Sequence, residues 1–285
     1  MRFVGCALAW RPSESRDKLS CLVTMDERGG IIGNSFAGSV EEISAAVGEY
    51  GEGRRGVLLG IDAPLSVPNE RGTRRIERIL SKLSLPAYSA SRKMFGGEPY
   101  PEELLAALQE HGIEYTDYPF RRTRGQRAAV EVDSGATLKV LSLERDREAR
   151  NGDVAQKLRE TEDPKFRKGN KEERASALKA AIDILWNAPG LRMRTGNLSS
   201  DLDAPENVDI SKLDVISKLS HAQLDRISGL VEGTLAAYTV HRHWKGRGGS
   251  IVVGSGYEGS VLLPATDALY ARIAEECRNT GVPYV

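Results

Sequence analysis

Apolar residues near the start of the chain fall into short runs separated by turn residues. Arg2 to Trp10, RFVGCALAW, combines a β-branched residue with aromatics and predicts a first, central strand. Ser20 to Met25 and Gly30 to Asn34 predict two more, joined by the turn Asp26-Glu27-Arg28-Gly29, so the chain opens as a three-strand meander. Ser39-Val-Glu-Glu then starts a helix: Ser39 caps it, Glu42 returns the bond, and Ile43, Ala46 and Val47 form its apolar face. Val57, Leu58, Leu59 and Ile61 read as a buried strand, ended by Asp62 and stopped by Pro64.

After Asp62 the pattern turns helical, over 74–84 and again over 101–112, where Pro101-Glu-Glu opens the second helix and His111-Gly112 closes it. The region 66–120 is therefore expected to be a helical insertion. Ala128-Ala-Val-Glu-Val-Asp133 predicts a fifth strand with Glu131 in its interior. Residues 144–218 are charged or loop-like, apart from an amphipathic helix from Ala175 to Trp186 that Pro189-Gly190 ends. Within that region Thr195 to Asp214 reads as a lid or a linker. The last long helix, His221 to His243, has a stripe of Leu224, Ile227, Val231, Leu235 and Tyr238. A second face of Gly229, Gly233, Ala236 and Ala237 suits close backbone approach, as in a helix lying flat on a sheet. A hairpin of Ile251-Val-Val and Ser260-Val-Leu-Leu follows, and a helix from Thr266 closes the chain.

Strand, strand, strand, helix, strand is the opening order of the ribonuclease H-like fold, an α/β (α+β) mixed sheet in which the first and fourth strands are neighbours. At 285 residues the chain can bury its core as one such domain, 1–285. Lys plus Arg and Asp plus Glu both number 40, so bulk charge draws neither nucleic acid nor membrane, and any polyanion site must be a local patch. Cys6, Cys21 and Cys277 are too scattered for a disulfide framework or a paired-cysteine zinc site, which fits a reducing cytoplasm. No apolar run approaches about 18 residues, and no basic segment leads into an apolar one, so neither membrane span nor signal peptide is expected.

Three carboxylates stand out. Asp62 ends a buried strand where open α/β sheets hold ligands, although an Asp there also serves as a simple turn cap. Glu131 lies among apolar residues of a strand, either on its solvent face or in a site. Glu232 lies between two buried faces of its helix and needs a counter-charge, which a metal ion or an arginine would supply. His241 and His243 lack metal spacing on one helical face and read as surface or capping residues.

Four stretches resemble the predicted nucleases of ribonuclease H-like fold known as domain of unknown function 429. They are Val4-Gly-Cys-Ala-Leu-Ala-Trp10; Gly60-Ile-Asp-Ala-Pro-Leu with Pro68-Asn69 and Arg74 to Glu77; Val130-Glu-Val; and Glu232-Gly-Thr-Leu-Ala-Ala-Tyr-Thr239. Tyr257 to Pro264 and Lys165-Phe-Arg-Lys-Gly169 add to the likeness. The resemblance implies a metal-dependent nuclease with Asp62, Glu131 and Glu232 as ligands of two Mg²⁺ or Mn²⁺ ions. It also places an Asp at position 7, where this chain has Ala7; an aromatic, Pro and His after Glu131, where Asp133, Ser134 and Gly135 stand; and more often Asp than Glu at position 232.

Two hard cations held by carboxylates about 4 Å apart would ionise the attacking water and neutralise the leaving oxygen of a phosphodiester. Ala7 removes the ligand that usually touches both. An inactivating substitution is favoured as its explanation, because Val4-Gly5 and Leu8-Ala9-Trp10 around it are intact; a naturally inactive nucleic-acid-binding or scaffolding protein and a shifted register stay open. A phosphotransferase of actin-like architecture would need a duplicated fold and Gly-rich phosphate loops, and neither is visible. For a DNA or RNA substrate the basic candidates are Arg71, Arg74 and Arg75, Arg124 and Arg127, and Lys165, Lys168 and Lys171.

Overall fold

The computed structural model describes residues 1–9, 19–51, 56–87, 89–96, 99–145, 153–161, 163–193, 210–246 and 249–285. The sheet strands are β1 (Arg2–Ala7), β2 (Ser20–Met25), β3 (Ile31–Ala37), β4 (Val57–Ile61), β5 (Glu114–Tyr115) and β6 (Arg127–Glu131), in the order β3-β2-β1-β4-β6-β5. β1 pairs antiparallel with β2, which pairs antiparallel with β3; the β1–β4, β4–β6 and β5–β6 pairings are parallel. The result is an α/β fold whose mixed sheet begins antiparallel, continues parallel and is flanked by helices, and its topology resembles that of ribonuclease H-like proteins.

Two helical layers cover the sheet. On one face, α1 (Val40–Tyr50) and α4 (Tyr100–Glu110) close over Val4, Cys6, Leu59 and Ile61. As expected, Ser39 caps α1 by accepting from the Glu42 N–H, but the Glu42 carboxylate accepts from the Gly38 N–H rather than returning a bond to Ser39. The other face is crossed by α9 (His221–Lys245), backed by α5 (Ser134–Arg145) and α7 (Lys171–Trp186), over Phe3, Ala7, Leu58 and Val130. The small face of α9 explains how close it comes. A Cβ on Gly5 of β1 would sit 1.9 Å from the Gly233 carbonyl oxygen, and one on Gly60 of β4 would sit 2.8 Å from that of Ala236. A third core gathers β7 (Ser250–Ser255) and β8 (Gly259–Pro264), an antiparallel pair, with α2 (Arg75–Lys82), α6 (Val154–Glu160) and α10 (Asp267–Thr280). The short helices α3 (Arg92–Phe95) and α8 (Leu213–Ile216) and a 3₁₀ turn at Gly256–Glu258 complete the described elements.

Several elements depart from their expected bounds. β1 stops at Ala7, and Trp10 lies outside the described residues, as does most of the Thr195 to Asp214 stretch. β3 runs on to Ala37, because its Ser35 and Phe36 keep pairing with Leu22 and Cys21. β5 was not foreseen, since two residues carry no periodicity. Among the described residues no helix is long and apolar enough to cross a membrane.

Candidate functional site

The parallel register of β1 and β4 sets Cys6 opposite Ile61, and the Asp62 N–H donates to the Cys6 carbonyl at 2.8 Å. Ala7 and Asp62 are therefore neighbours at the ends of adjacent strands, and by alternation both face α9. Asp62 is buried and bonded twice by the first residue of α5: the Ser134 N–H donates to one carboxylate oxygen at 3.0 Å and its hydroxyl donates to the other. Burial first, and the Glu232 charge second, push the Asp62 carboxyl up to about 7, against the pull of Ser134 and Arg167. Asp133 is buried beside it and caps α5, accepting from the Ala136 N–H at 2.7 Å. Burial and then the charge of Asp62 raise the Asp133 carboxyl well above the ordinary range.

Glu232 approaches the same site from α9. Of its two possible partners, the arginine is present: the Arg167 Nε–H donates to one oxygen at 2.9 Å and Nη2 to the other.

Glu131 is placed differently. It pairs with Ile61 in register, so alternation turns it to the face opposite Asp62 and α9. There Arg74 forks onto it, Nη1 at 2.9 Å and Nη2 at 2.6 Å, and the Leu65 N–H donates at 2.8 Å. Arg74 also bonds Glu77 through Nε at 2.8 Å, and all three side chains are buried. Burial raises the Glu131 carboxyl while Arg74 pulls it back. The set Asp62, Glu131 and Glu232 is thus not assembled: two of its members share the α9 face and the third is spent on a buried ion pair. Among the described residues no three His, Cys, Asp or Glu side chains form a group able to hold a metal ion.

The basic candidates scatter for equally local reasons. Arg74 is inside the protein and unavailable to a polyanion. Arg75 is engaged by Glu258 and the Thr280 carbonyl. Arg127 starts β6 opposite Val57, at the far end of the sheet from Asp62, and braces the Gly51 and His111 carbonyls. Arg124, three residues earlier, reaches Glu27 at 3.6 Å. Arg71, Lys165 and Lys168 are exposed and Lys171 is half-buried. Arg167, from the middle of the Lys165–Lys171 run, is the member that enters the site. Asp133 and Ser134 also belong to it, and Asp-Ser-Gly after an apolar strand is the helix-start signal that could have marked them. His241 and His243 are buried, contrary to a surface role, because α9 runs on to Lys245 and β7 packs against its end.

No protein-family model, curated protein or solved structure matches this chain. The distinctive chemistry lies at the ends of β1 and β4. Two carboxylates there lean on each other in a buried place, held by a helix amino end and an arginine, with an alanine alongside.

Proposed function

We propose that this chain carries the phosphodiester-hydrolysing site of a ribonuclease H-like, metal-dependent nuclease acting on DNA or RNA, in a form weakened at two positions, Ala7 and Glu131. The carrying observation is the adjacency of Ala7 and Asp62 on parallel strand ends, with Glu232 near enough to raise the Asp62 carboxyl. The oxygens of Asp62 and Glu232 are hard donors of the kind Mg²⁺ or Mn²⁺ takes, but among the described residues they do not gather with a third acidic side chain into a metal-holding group, and Glu131 is tied to Arg74. A bound divalent ion would ionise water and offset charge on the leaving oxygen. The chain's own part is positioning: Ser134 fixes both oxygens of Asp62, and Arg167 supplies the cation that Glu232 requires. Arg71, Lys165 and Lys168 are exposed and available for nucleic-acid contact, and Arg124 is exposed as well.

Restoring the missing ligand tests the reading. Ala7→Asp should raise Mg²⁺- or Mn²⁺-dependent cleavage of a mixed DNA and RNA panel at least a hundredfold, about 2.7 kcal/mol of barrier. Asp62→Ala in that background should abolish the gain. The commitment of Glu131 to Arg74 favours a second reading, binding without hydrolysis. Salt-sensitive oligonucleotide binding by an Ala7→Asp protein that still does not cleave would decide for it.

A further inference from the structure

A second candidate site lies towards the other end of α9. A cavity of about 1040 Å³ opens beside Tyr238, His241 and Arg242, between the ends of α5 and α7 and the start of α10. Glu232 and Arg242 are ten residues apart, roughly 15 Å along the helix, and none of Asp62, Asp133 and Glu232 lines the cavity. Its size is that of a small-molecule site.

The lining has two characters. Leu141, Ile184, Ala188 and Ala265 give it an apolar wall. Around the wall stand Arg28, Arg145, Arg192 and Lys245, and the amino end of α10 faces the same space. Among the described residues the guanidinium groups of Arg28, Arg145 and Arg192 have no acidic partner. Glu144 adds no free negative charge, since Arg242 holds both its oxygens at 2.8 and 2.6 Å. That leaves Asp267 as the lone unpaired carboxylate among the described lining residues. In a chain of zero net charge, such a local excess of cations over an apolar wall is a specific feature.

We propose that this cavity binds an amphiphilic organic anion of up to nucleotide size, its phosphate or carboxylate among the arginines and its aromatic or aliphatic body on the apolar wall. The inference is independent of the nuclease reading, because the two sites share a helix but no residue.

The test is a fluorescence titration with 8-anilinonaphthalene-1-sulfonate, an aromatic anion, followed by competition. One molecule should bind per chain and be displaced by adenosine monophosphate, which marks a phosphate ligand, or by decanoate, which marks a carboxylate. Inorganic phosphate at the same concentration should not displace it. Arg145→Glu with Arg192→Glu, both at exposed positions, should leave the melting temperature unchanged and weaken the probe at least tenfold. Lys168→Glu, in the basic run beside Asp62's site, should leave the titration unchanged. Absence of binding, displacement by neither competitor, displacement by inorganic phosphate, or equal affinity in the double variant would each overturn the proposal.

Discussion

Arg74 answers Glu131 and Arg167 answers Glu232, and burial decides what each pair is worth. Arg74 is enclosed with Glu131 and Glu77, and its three donor nitrogens are all used. Removing it leaves two buried carboxylates without a cation, so Arg74→Met should cost about 3–5 kcal/mol in urea unfolding. A loss under about 1 kcal/mol would mean that water reaches the pair. Arg167 holds Glu232 with its own side chain 43% exposed, in the range where an ion pair contributes little to stability. Its value is local: it holds both oxygens of Glu232 in place close to Asp62. The sequence marks Glu131 and Glu232 as carboxylates that need an explanation. It does not reveal their partners, because Arg74 and Glu131 are 57 positions apart and meet only when the start of α2 folds against the end of β6.

Close contact between α9 and the sheet depends on missing side chains. Gly5 has the Gly233 carbonyl and the Ala237 amide where a Cβ would go, so neither backbone can yield without moving the helix. Gly5→Ala should therefore destabilise by at least about 1–3 kcal/mol, measured by urea or thermal unfolding. The same change at Gly33, where no atom comes within 4 Å of an added Cβ, serves as the neutral comparison. The Gly and Ala face of α9 was legible as a docking surface, since four small residues at helical spacing have no better use. Its counterpart was not legible: one glycine in an apolar strand gives no sign that a helix backbone rests on it. Asp62 could be placed at its strand end for a similar reason, because Pro64 sets where the strand stops, whereas nothing short of the β4–β6 register tells which face Glu131 takes.

At the scale of the molecule, the end of α9 joins the main sheet layer to the β7–β8 layer, and His243 sits at the joint. One ring nitrogen lies 2.8 Å from the Ser250 hydroxyl and the other 2.8 Å from the Pro119 carbonyl, with Tyr118 edge-on at 5.0 Å. Burial pushes this imidazole down from an ordinary value near 6.5 to about 4. Because its folded value is the lower one, the unfolded chain takes up the proton first, and stability is lost as pH falls from about 6.5 towards 4. This single group should remove up to about 3 kcal/mol over that window. His243→Asn should unfold with a shallower pH dependence there, which a series of urea midpoints would detect; parallel pH profiles would exclude the joint as a titrating element. Spacing alone gives the two histidines of the His-Arg-His run surface or capping roles and misses their burial. The residues that enclose it, Pro119 and Ser250, come from segments on either side of the helix in the chain.

The packing of β1 under α9 also sets an order of events as the chain is made. β1 is complete by residue 7, yet the helix that covers its Gly5 face ends at residue 245, so roughly 240 residues must emerge before that face is closed. At about 5–20 residues per second the ribosome needs roughly 10–50 s for that length. Throughout this interval the nascent meander presents an apolar sheet face without its cover. Newly made chains of this protein are thus exposed to mispairing in the cell before they can fold, and the hazard is fixed by the distance along the chain between a strand and its helix.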